Sequence, residues 1–126
     1  MGSWLPQNKT VLLVEDEPEV RALTRDILHM HGYRVLETAG PAQAEQICRD
    51  HAGPIHALLT DVVMPQMSGR ALAARLSPMR PAMRILYMTG YDDAILIGHS
   101  GQESAPLLTK PFTPAELAAK LRAVLD

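Results

Sequence analysis

Helices wound on both faces of a parallel β-sheet are the architecture this sequence predicts, and three observations predict it. Five short apolar runs alternate with stretches whose apolar residues recur at helical spacing, the pattern of strand–helix units joined by crossovers. Three of the runs, "TVLLVE" (10–15), "HALLTD" (56–61) and "RILYMT" (84–89), are apolar almost throughout, as strands buried on both faces require. The units fill most of the 126 residues, a length that suits one domain with one ordinary core.

The elements follow in order. After the first strand, Pro18 suits an opening helical turn, and Val20, Leu23, Ile27 and Met30 form the predicted apolar stripe of the first helix. "YRVLET" (33–38) is the second strand, and Pro41 opens a second helix with Ala44, Ile47 and Cys48 on one face. The third strand ends at Asp61, and a third helix spans about Ser68 to Leu76, stopped by the prolines of "SPMRP". The fourth strand leads to a fourth helix near 92–98, and "PLLTK" (106–110) is the fifth strand. The last helix carries its own start signal: Thr113 caps, Pro114 takes the first turn and Glu116 completes a T-x-x-E capping box, with Leu117, Leu121 and Val124 as the buried stripe. Five strands and five helices in this length fit a doubly wound, flavodoxin-like sheet of order 2-1-3-4-5. Residues 1–8 are expected to lie outside it, as a disordered segment or cloning remnant, leaving 9–126 as the domain.

Composition narrows the function classes. The chain is 47% hydrophobic and 21% charged with a formal net charge of −2, and its nine arginines and three lysines are scattered. That gives no electrostatic footprint for nucleic acid. No apolar stretch approaches the ~20 residues of a membrane span, and "MGSWLPQNKT" lacks a basic region followed by an apolar core, so a cytoplasmic address without membrane contact is expected. The single cysteine, Cys48, cannot form an internal disulfide and falls in an amphipathic pattern, as a packed small hydrophobe. His29 and His31, two apart, fall on different helix faces, and none of the five histidines has a matching metal-ligand set.

Doubly wound sheets bind ligands beyond the carboxyl ends of the strands, at the switch between the first and third. The polar residues at those ends are Glu15, Asp16 and Glu17 after the first strand, Asp61 after the third, Thr89 after the fourth and Lys110 after the fifth. Singly, each has a structural explanation: acids favour helix starts, an aspartate before a turn caps it, and a lysine before proline sits on the surface. Together they place several carboxylates and one ammonium at one sheet edge. Carboxylates so close repel unless a cation intervenes, and an all-oxygen set favours Mg²⁺, Mn²⁺ or Ca²⁺ over zinc. Mg²⁺ in such a site keeps open positions for phosphate oxygens, so the pattern reads as phosphoryl transfer, with Asp61 as nucleophile and Lys110 and Thr89 on phosphoryl oxygens.

"VLLVEDEPEVR", "LLTDVVMPQMSG", "ILYMTGY" and "LTKPFTPAEL", in that order and spacing, resemble the signature segments of response-regulator receiver domains of two-component signalling. The resemblance covers the chain from about Lys9 to the end. It implies a switch that takes a phosphoryl group from a phosphohistidine on a sensor histidine kinase or histidine phosphotransfer domain, and changes its affinity for a downstream protein. Such a domain is no conventional enzyme but catalyses its own phosphorylation and dephosphorylation. The resemblance implies Asp61 as phosphoacceptor, with Mg²⁺ (or Mn²⁺) bound by Asp16, Asp61 and the Val63 backbone carbonyl, and by Glu15 through water. It also implies Thr89 and Lys110 on the phosphoryl group, a cis peptide before Pro111, and Gly69 as the residue that permits the tight turn after Met64-Pro65. Leu107 departs from the pattern, standing where many members carry a switch aromatic. Tyr91, a different ring, is expected to shield the site, and "GHSGQESA" (98–105) reads as a mobile loop. "YMTGYDDA" and "KPFTP" are most similar to receiver modules of hybrid sensor histidine kinases.

Three other readings compete with this one. An aspartyl phosphatase would need an acid two residues beyond Asp61, where Val63 stands. An FMN-binding flavodoxin would need a Ser/Thr/Gly-rich loop where this chain has "EDEPE". A receiver-shaped docking module working without phosphorylation, through the apolar "AILIG" (94–98), is the rival from a different class, and metal-dependent phosphorylation separates it from a switch.

Overall fold

The computed structural model describes residues 8–90 and 106–126. Its strands are β1 (Thr10–Val14), β2 (Arg34–Thr38), β3 (Ala57–Asp61), β4 (Arg84–Thr89) and β5 (Leu107–Thr109), all parallel in the order β2-β1-β3-β4-β5. The helices are α1 (Pro18–Met30), α2 (Pro41–Asp50), α3 (Gly69–Leu76) and α4 (Pro114–Leu125). Four helices, not the predicted five, therefore stand among the described residues. The predicted helix near 92–98 lies outside them, as do Tyr91 and the stretches 94–98 and 98–105.

The central strands bury both faces, because alternate side chains of a strand point to opposite sides. Leu12 and Leu58 join Ala44, Cys48, Leu72 and Leu76 in a core under α2 and α3. Leu13 and Leu59 join Ile27, Leu28, Leu117 and Leu121 in a second core under α1 and α4. β1 and β3 are buried at every residue, whereas the edge strand β2 is only partly covered.

The α1 stripe differs from its prediction. Leu23 and Met30 are exposed, and the buried positions are Thr24, Ile27 and Leu28. A helix of 3.6 residues per turn turns residues 24, 27 and 28 inward together, and a threonine on that face is invisible to an apolar count. Burial is tolerated because the Thr24 hydroxyl donates to the Val20 carbonyl at 2.7 Å. At α4 the capping box forms as predicted: the Glu116 N–H donates to Thr113 Oγ1 (3.0 Å) and the Thr113 N–H to Glu116 Oε1 (2.8 Å). The α2–α3 side is tied by Arg80, which donates to the carbonyls of Cys48, His51 and Gly53 around the end of α2.

Candidate functional site

Asp61 is the last residue of β3 and is 4% exposed. The neighbouring β1 ends one residue before Glu15, which is wholly buried, so the switch between first and third strands brings the two carboxylates together. Lys110 arrives from the far side. Its backbone N–H donates to the Thr89 carbonyl at 2.7 Å, and its bond to Pro111 is cis, as expected.

The ammonium of Lys110 lies 2.7 Å from both Glu15 Oε1 and Asp61 Oδ1. The first contact is a hydrogen bond. The second is an ion pair to Asp61 Oδ1, a buried oxygen for which this ammonium is the close cationic partner. Glu15 Oε2 is taken by the Glu17 N–H at 3.1 Å. Both oxygens of Glu15 are thus engaged by protein groups.

Electrostatics follow from this imbalance. Burial, then the adjacent Glu15, push the Asp61 carboxyl from its ordinary 3.8 up to about 8. Burial acts the same way on Glu15, but its contacts with Asp61, Lys110 and the Glu17 N–H outweigh it and hold Glu15 below the usual range. Burial opposes the charge of Lys110, yet the two carboxylates keep its pKa raised. One ammonium therefore serves two buried acids, and Asp61 is left the less compensated.

Carboxylate oxygens of Glu15, Asp16 and Asp61 lie within 4.8 Å of one another. That span is slightly more than two metal–oxygen bonds of about 2.1 Å. With only oxygen donors and two buried acids sharing one ammonium, the residues fit a hard divalent cation such as Mg²⁺. Val63, Thr89 and Gly90 complete the rim of a depression of about 330 Å³ over these acids. The Thr89 hydroxyl donates to the Gly90 carbonyl at 3.2 Å.

Gly69 stands at the turn into α3, and the reason it must be glycine is steric. Positive φ occurs only at Gly32 and Gly53 among the described residues, so no left-handed backbone is involved. A Cβ at Gly69 would stand 2.0 Å from the Asp61 carbonyl oxygen, so only a residue without one lets the chain turn this closely. Its N–H donates to the Val62 carbonyl at 2.7 Å, pinning α3 beneath the β3 exit.

All the predicted residues Glu15, Asp16, Asp61, Val63, Thr89 and Lys110 line this one depression. Sequence reading missed Arg21, whose Nη1 donates to the Glu15 carbonyl at 2.8 Å. An arginine in the first turns of a helix carries no pattern that separates it from a solvated one. Leu107 is half-buried and pairs in register with Tyr87 of β4.

Comparison with known proteins places this geometry. The chain is 33% identical over 123 residues to the sensor kinase CckA of Brucella abortus, a match covering 97% of this chain and 13% of that protein. It is 32% identical over 118 residues to the response regulator receiver protein CpdR of the same organism, covering 93% of this chain and 97% of that one. Among solved structures, the receiver domain of the hybrid histidine kinase CckA superposes with a TM-score of 0.76 at 28% identity, over 93% of this chain and 99% of that one. No helix among the described residues is long and apolar enough to cross a membrane. The family model described as response regulator receiver domain matches residues 11–122, and the chain belongs to that family of two-component signalling domains.

Proposed function

We propose that Asp61 accepts a phosphoryl group from a phosphohistidine on a partner protein, in a Mg²⁺-dependent reaction that shifts the domain between two partner affinities. The carrying observation is the buried Asp61 carboxylate at the β3 mouth, 2.7 Å from Lys110 and within 4.8 Å of the Glu15 and Asp16 carboxylates. Asp16, Asp61 and the Val63 carbonyl would hold the cation, with Glu15 acting through water because both its oxygens are already engaged. Bound Mg²⁺ supplies the positive charge that makes an ionised Asp61 and the phosphoryl oxygens tolerable together.

In the transfer, an Asp61 oxygen attacks phosphorus and forms a P–O bond as the P–N bond to the donor imidazole breaks. The imidazole nitrogen leaves with the bonding pair and takes a proton from solvent. Lys110 neutralises one phosphoryl oxygen, and the Thr89 hydroxyl turns from the Gly90 carbonyl to donate to another. Attack of water on phosphorus later returns the free carboxylate, so the domain promotes both its charging and its discharge. The phosphorylated form biases a pre-existing equilibrium between conformations. With leucine at 107, the readout cannot run through a ring at that position.

The donor is a sensor histidine kinase or a histidine phosphotransfer domain. The two relatives support either a module within a kinase or a separate regulator, since the chain spans 13% of one and 97% of the other. The test is incubation with acetyl phosphate and Mg²⁺, read by intact mass. One phosphoryl group is expected on the wild type, none on Asp61→Asn, and none after EDTA. Absence of any adduct, also with beryllofluoride as phosphoryl mimic, would leave a docking module that works without phosphorylation.

A further inference from the structure

Arg21 reaches back from α1 to the acidic turn that precedes it. Its backbone N–H makes the ordinary first helical bond to the Glu17 carbonyl at 2.9 Å, while its guanidinium Nη1 donates to the Glu15 carbonyl at 2.8 Å. Asp16 follows directly on the carbonyl that the side chain holds. A peptide unit is planar, so fixing the Glu15 carbonyl fixes the plane that carries the nitrogen and Cα of Asp16. The guanidinium is itself held from β2: its Nε lies 3.5 Å from Glu37 Oε1, while Glu37 Oε2 lies 3.0 Å from Arg25 Nη1. Glu37 shares its carboxylate between the two arginines, and of the two it is Arg21 that reaches on to the acidic turn.

We infer that Arg21 is a positioning residue for the metal-binding acids: it orients Asp16 by clamping the Glu15 carbonyl, and Glu37 holds it in place. The inference rests on the metal reading above and adds to it a cause for the turn's shape. A guanidinium fork suits the task because its donors are fixed relative to one another, so one group on Glu37 sets the direction of the other.

The test is Mg²⁺ affinity by titration calorimetry for the wild type, Asp16→Asn, Arg21→Ala, Arg21→Lys, Arg25→Ala and Glu37→Gln, with unfolding in EDTA followed alongside. Asp16→Asn should abolish binding. Arg21→Ala should weaken it by about tenfold, the usual effect of losing a group that orients a metal ligand. Arg25→Ala removes a comparable ion pair to Glu37 and should leave the affinity unchanged, although both alanine variants lower stability. Arg21→Lys should recover part of the loss, since a single ammonium can reach one partner but not fork to two. Glu37→Gln should weaken binding in the same direction, and it carries the test if Arg21→Ala does not fold. Equal affinities for wild type and Arg21→Ala, or equal weakening by Arg21→Ala and Arg25→Ala, would overturn the inference. A wild type that takes up no Mg²⁺ would overturn the metal reading and this inference with it, and the wild-type trace alone tells the two failures apart.

Discussion

At the scale of single residues, Asp61 makes the sharpest prediction. In the folded, metal-free protein burial and the adjacent Glu15 push its carboxyl up to about 8, against 3.8 ordinarily, so the fold holds a proton there that the unfolded chain has released. A raised acid of this kind stabilises at low pH and loses its contribution as pH rises through the folded value. Glu15, shifted the other way, offsets part of this. Without metal, the melting temperature should therefore fall between about pH 5 and pH 8. Asp61→Asn should flatten that fall and raise Tm at pH 8 by about 4 °C, on the order of 1 kcal/mol in a domain of this size. A steeper profile in the asparagine variant would contradict the assignment. Gly69→Ala tests the other side of the same strand end. With 2.0 Å between its Cβ and the Asp61 carbonyl oxygen, it must push β3 and α3 apart. Urea unfolding should show a loss of about 2 kcal/mol or more. The acids were legible in the sequence because charges at the ends of apolar runs stand out. The turn at Gly69 was legible too, but the contact that demands glycine was not, because a close approach between residues 61 and 69 is a fact of three dimensions.

Elements show where local sequence suffices and where packing decides. The α4 start was readable to the residue, since a capping box is built within four positions, and Thr113→Ala should cost about 1 kcal/mol in thermal unfolding. The α1 span was equally plain, but its buried face was not, because a threonine satisfied by its own helix can stand among leucines. Long-range ties leave no local trace at all. Arg80 in the α3–β4 connection meets three carbonyls at the end of α2, about thirty residues earlier in the chain. Arg80→Ala should destabilise by about 2 kcal/mol, since hydrogen bonds from a charged group to partly buried carbonyls are among the stronger ones. Arg80→Lys should restore less than half, because one ammonium cannot span the three acceptors.

For the whole molecule, the parallel sheet gathers the proposed site residues at one edge. A groove formed by Leu23, Thr24, Pro111 and Phe112 borders Lys110 beside them, and a donor docking at the proposed site would meet it. Leu23 is 59% exposed there. Leu23→Ala should slow phosphoryl transfer from the cognate histidine protein by about tenfold, a loss of ~1.4 kcal/mol at a contact. It should leave charging by acetyl phosphate unchanged, and an equal slowing of both would place Leu23 in the chemistry rather than the contact. The strand order has one more consequence, for the growing chain. Glu15 and Lys110 are 95 positions apart in sequence, and the lysine stands just past β5, the last strand to be made. A chain halted before Leu107 carries both acids and lacks the ammonium that stands between them in the finished fold. The proposed phosphoryl switch would therefore be complete only once the final strand is made.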